Sequence, residues 1–96
     1  MNRAVVWSQD AIKDITVQAT YIAQDNKKAA LRVGEAIQSA GKKLGDHSTG
    51  RPGRVEGTYE KSVTGLPYII VYLILGTDAG EAVFIVHVVH TARKWP

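Results

Sequence analysis

The side chains of this 96-residue chain that are equipped for chemistry fall into two groups. Arg51-Pro52-Gly53-Arg54 with Lys61 form one, and His87, His90, Arg93, Lys94 and Trp95 form the other. Brought onto one surface, these positive charges, an imidazole and an indole would suit gripping a phosphate backbone and stacking on a base. His90, near the end of an apolar run, suits either acid-base work or bonding the tail that follows it. His87 lies inside that run and reads as a buried, hydrogen-bonded histidine. The two histidines are three apart, so on a strand they point to opposite faces and do not share a metal ion. The chain has no cysteine, which excludes a disulfide framework, a thiolate metal site and a cysteine nucleophile. There is no Gly-rich phosphate loop, Ser-His-Asp spacing or clustered carboxylates, and no cofactor or metal is expected.

The elements that must position these groups are organised around two strongly apolar runs, Tyr68 to Leu75 and Glu81 to His90, parted by Gly76-Thr77-Asp78-Ala79-Gly80. They predict an antiparallel hairpin at the centre of a small sheet, since both are too apolar for edge strands. Tyr68 and Tyr72, four apart, share one face and pack in the core. Upstream, Arg3 to Trp7 is a β-prone run in which Trp7 reads as core. Ser8 then stands where a helix N-cap would, with Asp10 in the first turn. Ile12, Ile15, Ala19 and Ile22 give the apolar stripe of a helix ending near Gln24. Asp25-Asn26 breaks it, and Asn26 caps a second helix striped by Ala30, Val33, Ile37, Ala40 and Leu44. So short a link makes the two helices an antiparallel hairpin. Leu31 lies off the stripe and is expected to fill the helix-helix seam in preference to an exposed groove. Gly34 and Gly41 mark either close packing or an early end.

Residues 45–57, with four glycines and a proline, predict a loop without regular structure. Thr58 to Val63 alternates as a strand and reaches the central hairpin through the turn at Thr64-Gly65-Leu66-Pro67. The predicted fold is α+β in the order β-α-α-β-β-β. Strand one rejoins by a crossover, parallel to its neighbour, and the other three form a meander. A helical hairpin packs on one face of a twisted, mostly antiparallel four-stranded sheet, leaving the other face partly open. Trp95 is buried only if the tail folds back.

The length predicts a single domain over residues 1–96, and 45% hydrophobic with 22% charged residues excludes a wholly disordered chain. The longest apolar stretch, Leu66 to Leu75, is well short of the roughly 18 residues that span a bilayer, and there is no signal-peptide core. The expectation is a soluble, cytoplasmic protein with no membrane role. A formal net charge of +3 favours encounter with nucleic acid or an acidic partner.

The whole chain resembles the RelE/ParE superfamily of bacterial type II toxin-antitoxin toxins, and within it the ParE branch. The resemblance is carried by Val6-Trp7-Ser8 before an Asp-bearing helix with Tyr21-Ile22-Ala23, by Ala29-Ala30-Leu31-Arg32, by Gly50 to Thr58, by Pro67-Tyr68-Ile69-Ile70-Val71-Tyr72, and by Val88 to Pro96 with its His-x-Ala-Arg-x-aromatic-Pro ending. It implies a helical hairpin on a twisted antiparallel sheet, in agreement with the order above, and a cognate antitoxin as partner. ParE-like members poison DNA gyrase. RelE-like members cleave messenger RNA on the ribosome with basic residues and often a tyrosine or histidine, making the ribose 2′-hydroxyl attack the adjacent phosphate. Several of those ribonucleases carry an arginine where this chain has Ile69, which cannot offset negative charge developing on a phosphorane.

The resemblance therefore implies a growth-inhibiting gyrase poison with target contacts among Arg51, Arg54, Lys61, His90, Arg93, Lys94 and Trp95. The alternative is a ribosome-dependent messenger-RNA endoribonuclease, in which His90, Arg54, Lys61 and Arg93 would be catalytic. A further alternative is a non-toxic basic module that binds nucleic acid.

Overall fold

A computed structural model describes residues 2–95. Pro96, the last residue of the terminal motif, lies outside them. The chain runs β1 (Ala4–Trp7), α1 (Gln9–Ala23), α2 (Lys27–Lys43), β2 (Arg51–Pro52), β3 (Tyr59–Ser62), β4 (Tyr68–Thr77) and β5 (Gly80–His90). The sheet order is β1-β5-β4-β3-β2. β1 pairs with β5 in parallel and all other neighbours are antiparallel. The central hairpin, the helical hairpin and the parallel return of the first strand are as the sequence predicts. The fifth strand is additional: Arg51 and Pro52, expected in an irregular loop, pair with Glu60 and Tyr59. Proline is tolerated there because β2 is an edge strand, where a missing N–H leaves no ladder bond unmade.

Both helices begin as their sequences dictate. Ser8 Oγ accepts the Ala11 N–H at 3.0 Å and Asn26 Oδ1 accepts that of Ala29 at 3.0 Å. Helix α2 turns Ala30, Ile37 and Leu44 fully into the core, with Val33 and Ala40 packed against it. On α1 the inward residues are Ala11, Ile15, Ala19 and Ile22. Ile12, placed in the stripe by spacing, is 53% exposed, because the register that buries Ala11 rotates it outward. Leu31 does not fill the seam either; it is 67% exposed. Gly41 lies where the Trp7 ring crosses α2, and a methyl group there would overlap the ring. Gly34 has open space around it.

One face of β4 carries Tyr68, Ile70 and Tyr72 into the core with Ile37, Leu44, Val83, Ile85 and Val88. By strand alternation Ile69 and Val71 point to the opposite face. A β-bulge falls between Val71 and Tyr72, so that Val71 pairs with His87 while Tyr72 pairs with Ile85. The extra residue, Val86, shifts the alternation of β5: Val83 and Ile85 face the helices before it, and Val88 and His90 after it. Among the described residues no helix is long and apolar enough to cross a membrane.

Candidate functional site

β1 covers β5 only as far as Ile85, so the later part of β5 has a free edge. Side chains of α1 close it. Ser8 Oγ donates to the Val86 carbonyl at 3.0 Å, and Asp14 Oδ2 accepts the Val88 N–H at 2.9 Å. The same carboxylate oxygen accepts a hydrogen bond from His87 Nδ1 at 3.1 Å. His87 is thus half-buried and bonded, not enclosed as the apolar run suggests. Its row on the sheet, Glu60–Val71–His87, lies on the face turned away from the helices.

The tail does fold back. Thr91 N–H donates to the Pro67 carbonyl at 2.9 Å and Arg93 N–H to the His90 carbonyl at 3.0 Å. Trp95 then meets His87 edge-on, with ring centroids 5.4 Å apart. The Trp95 carbonyl accepts from the Arg54 guanidinium at 3.1 Å, which ties the tail to the basic loop. That loop is held in turn by Glu60: its Oε2 accepts the Arg54 N–H at 2.9 Å, and its Oε1 pairs with the Arg51 guanidinium at 3.3 Å. Arg51, Arg54 and Trp95 are therefore joined through hydrogen bonds to a common support.

His90 stands on the helix side of the sheet. Its ring meets Tyr68 edge-on at 5.3 Å, and its Nδ1 accepts the Ala92 N–H at 3.0 Å. That bond fixes the tautomer with the proton on Nε2 and makes the imidazole a cap for the tail's turn. His90, Arg93 and Lys94 line a groove of about 390 Å³ along the β5 edge, facing Asp10, Lys13 and Asp14 of α1. Lys61 is elsewhere. Alternation on β3 turns it to the side opposite Glu60, and it lines a separate groove with Lys43, Leu44, His47 and Val63. The expectation that Lys61 shares the surface of Arg51 and Arg54 fails for this reason.

Two residues that organise the surface went unrecognised in the sequence. Asp14 was visible in principle, because it lies three residues after Ala11 and beside Ile15 on the inward face of α1. Glu60 was not: in an alternating strand it reads as a solvated position, and only the pairing of β2 outside it makes it buried. Among the described residues no three His, Asp or Glu side chains come together to hold a metal ion.

Burial pushes the phenols of Tyr68 and Tyr72 above their ordinary value of 10.0, partly offset by Arg93 at Tyr68 and by the Gly50 N–H at Tyr72. A phenol raised in the folded state is neutral in both states below about pH 10. Above that, ionisation of the unfolded chain draws the equilibrium away from the fold. Urea unfolding should therefore show stability falling as the pH rises beyond about 10, with a shallower fall for Tyr68→Phe than for the parent.

The similarities of the chain agree with this architecture. Residues 5–95 match the family described as ParE toxin of type II toxin-antitoxin system, parDE. The toxin candidate Y4kP of Sinorhizobium fredii is 33% identical over 95 residues, covering 98% of this chain and 94% of that protein. The chromosomal ParDE system from P. aeruginosa contains a chain of similar fold, with TM-score 0.79, 18% identity and coverage of 92% of this chain and 95% of that one. The RelBE2 toxin-antitoxin complex from Mycobacterium tuberculosis gives TM-score 0.67 and 22% identity, covering 94% and 99% of the two chains. At these identities the structures establish the fold, and the sequence matches establish the membership. The chain belongs to the ParE toxin family of type II toxin-antitoxin systems.

Proposed function

We propose that this toxin acts as a single 96-residue domain in the cytoplasm, stops growth by poisoning DNA gyrase, and is neutralised by a cognate antitoxin. The observation that carries the gyrase reading over RNA cleavage is the dispersal of the groups a nuclease would need. Lys61 and Arg54 lie on opposite sides of the sheet, and His90 Nδ1 is engaged by the Ala92 N–H. At the position where several ribonuclease relatives have arginine, Ile69 is only 5% exposed and points away from the helices. General acid-base catalysis of phosphoryl transfer needs its groups within hydrogen-bond reach of one phosphate. Arg51, Arg54 and Trp95 instead make one connected surface, which suits docking to a macromolecule.

For the antitoxin, the fitting surface is the apolar groove of about 790 Å³ between β1, α1 and α2, lined by Val5, Trp7, Ile12 and Ile15 and rimmed by Arg3 and Lys42. Arg3 is already paired with Glu81 and Asp46 also lines the groove, so an amphipathic segment would complement it chiefly through its apolar side. That the similar ParDE and RelBE2 structures are of toxin-antitoxin systems supports the expectation of a cognate antitoxin.

Purified toxin should inhibit gyrase supercoiling and trap cleaved gyrase-DNA complexes, while primer extension on induced cells finds messages intact. Codon-positioned cuts with gyrase unaffected would give the ribonuclease reading instead. Affinity for bare DNA that falls steeply with salt, without a growth defect, would point to a plain nucleic-acid-binding module.

A further inference from the structure

Glu60 is the one charged side chain buried among the described residues, at 1% exposure. It sits in β3 between Arg51 of β2 and Val71 of β4. A carboxylate removed from water is costly unless its oxygens are matched. Both are matched here, and both partners belong to the basic loop. Stability alone does not explain the choice, because a buried ion pair is often replaceable, both partners together, by aliphatic side chains of similar volume without loss. What an aliphatic side chain cannot do is hold the loop's geometry. β2 has only two residues, and the Gly53 N–H bond to the Thr58 carbonyl at 2.8 Å closes the loop beyond it. Glu60 Oε2 fixes the Arg54 backbone, from which the Arg54 side chain reaches Trp95. Oε1 fixes the direction of Arg51.

We infer that Glu60 is a positioning residue of the toxin's target surface: through its two carboxylate oxygens it sets where the Arg51 and Arg54 guanidinium groups stand and, through Arg54, where the tail lies. This rests on the reading that the basic loop and tail engage the target.

The sign of one substitution separates positioning from simple charge. Glu60→Gln leaves 12 basic against 8 acidic residues in place of 12 against 9, raising the formal net charge from +3 to +4. If the surface acts as a diffuse positive field, the variant engages a gyrase-DNA complex better, most of all at low salt. If Glu60 positions the loop, the variant engages it worse. An amide keeps one acceptor for the Arg54 N–H but presents its own N–H groups to Arg51, which then has no acceptor.

The test compares the full chain with Glu60→Gln and Glu60→Leu, each co-purified with the antitoxin and then freed from it. The expected result is that both variants need roughly tenfold more protein, or more, for half-inhibition of supercoiling, the loss typical of a charge-assisted bond. Glu60→Leu, which leaves the Arg54 N–H without its acceptor, should melt somewhat below the parent yet remain fully folded at the assay temperature, so that its loss of inhibition is not a loss of folded protein. Hydrogen exchange of the Arg51–Arg54 segment should speed up in Glu60→Leu while that of α2 stays unchanged. Parent-like or better inhibition by Glu60→Gln, or unchanged exchange of the loop in Glu60→Leu, overturns the inference. If the parent arrests growth without touching gyrase, the gyrase reading fails by itself, and the exchange result together with growth inhibition by the two variants still decides the role of Glu60.

Discussion

Replacing Tyr72 by alanine is expected to lower the melting temperature by more than about 12 °C. The side chain is fully buried at the centre of β4, stacks on Tyr59 with ring centroids 5.5 Å apart, and accepts the Gly50 N–H at 2.9 Å through its hydroxyl. Deleting a buried aromatic ring costs about 3–5 kcal/mol, from lost transfer energy and from the cavity left behind. A domain of this size has about 5–15 kcal/mol in total, and each kcal/mol moves its melting temperature by about 4–8 °C. Tyr72→Phe isolates the hydroxyl. It keeps the stacking, leaves the Gly50 N–H without its partner, and should cost about 1 kcal/mol. Gly50 has no room for a side chain, because the Tyr72 ring and hydroxyl occupy the space a Cβ would take. Thermal unfolding followed by circular dichroism checks the pair. Equal effects of the two substitutions would mean that the ring contributes little.

Arg54→Ala is expected to have the largest functional effect with a small effect on stability. The guanidinium group is exposed, and its one bond among the described residues is to the Trp95 carbonyl. The Arg54 N–H bond to Glu60 survives the substitution, so the loop keeps its backbone support. A surface change of this kind typically alters stability by about 0.5 kcal/mol. Loss of a charge-assisted contact to the target, about 1.5–3 kcal/mol, would raise the half-inhibitory concentration on gyrase about 10- to 150-fold. Lys61→Ala, on the other side of the sheet, should leave gyrase inhibition near that of the parent. The ribonuclease alternative predicts that both substitutions weaken the toxin, so comparing them tests the target as well as the residue.

The groove in which His90, Arg93 and Lys94 meet α1 runs along the β5 edge, on the helix side of the sheet. His90 anchors the tail's turn there, since its Nδ1 accepts the Ala92 N–H. Of the two roles the sequence left open for this residue, this bond is the structural one.

Much of the fold was legible in the sequence because it follows from short-range rules. Ser8 and Asn26 cap the helices as their types predict, the stripe from Ala30 to Leu44 marks the buried face of α2, and the apolar runs of β4 and β5 announce a central hairpin. Each signal is confined to a few neighbouring residues. The errors arose where the orientation of a helix or strand depends on distant partners. Ile12 stands outside the core because packing, not spacing, selects which edge of a stripe is covered, and Leu31, off its stripe, is exposed because the seam between the helices closes without it. Lys61 and Glu60 are adjacent in sequence, yet one faces the helices and the other the tail.

Local signals along the chain thus specify the order and kind of the elements, the residues available for chemistry and, through the motifs, the toxin superfamily. The tertiary structure alone decided how those residues combine. The bulge at Val86, the Asp14–His87 pair across 73 residues, the Arg54–Trp95 bond across 41, and the burial of Glu60 join segments far apart in the chain. Periodicity and capping act over a turn or a strand, whereas these contacts exist only once the sheet has set its register and the tail has crossed its open face.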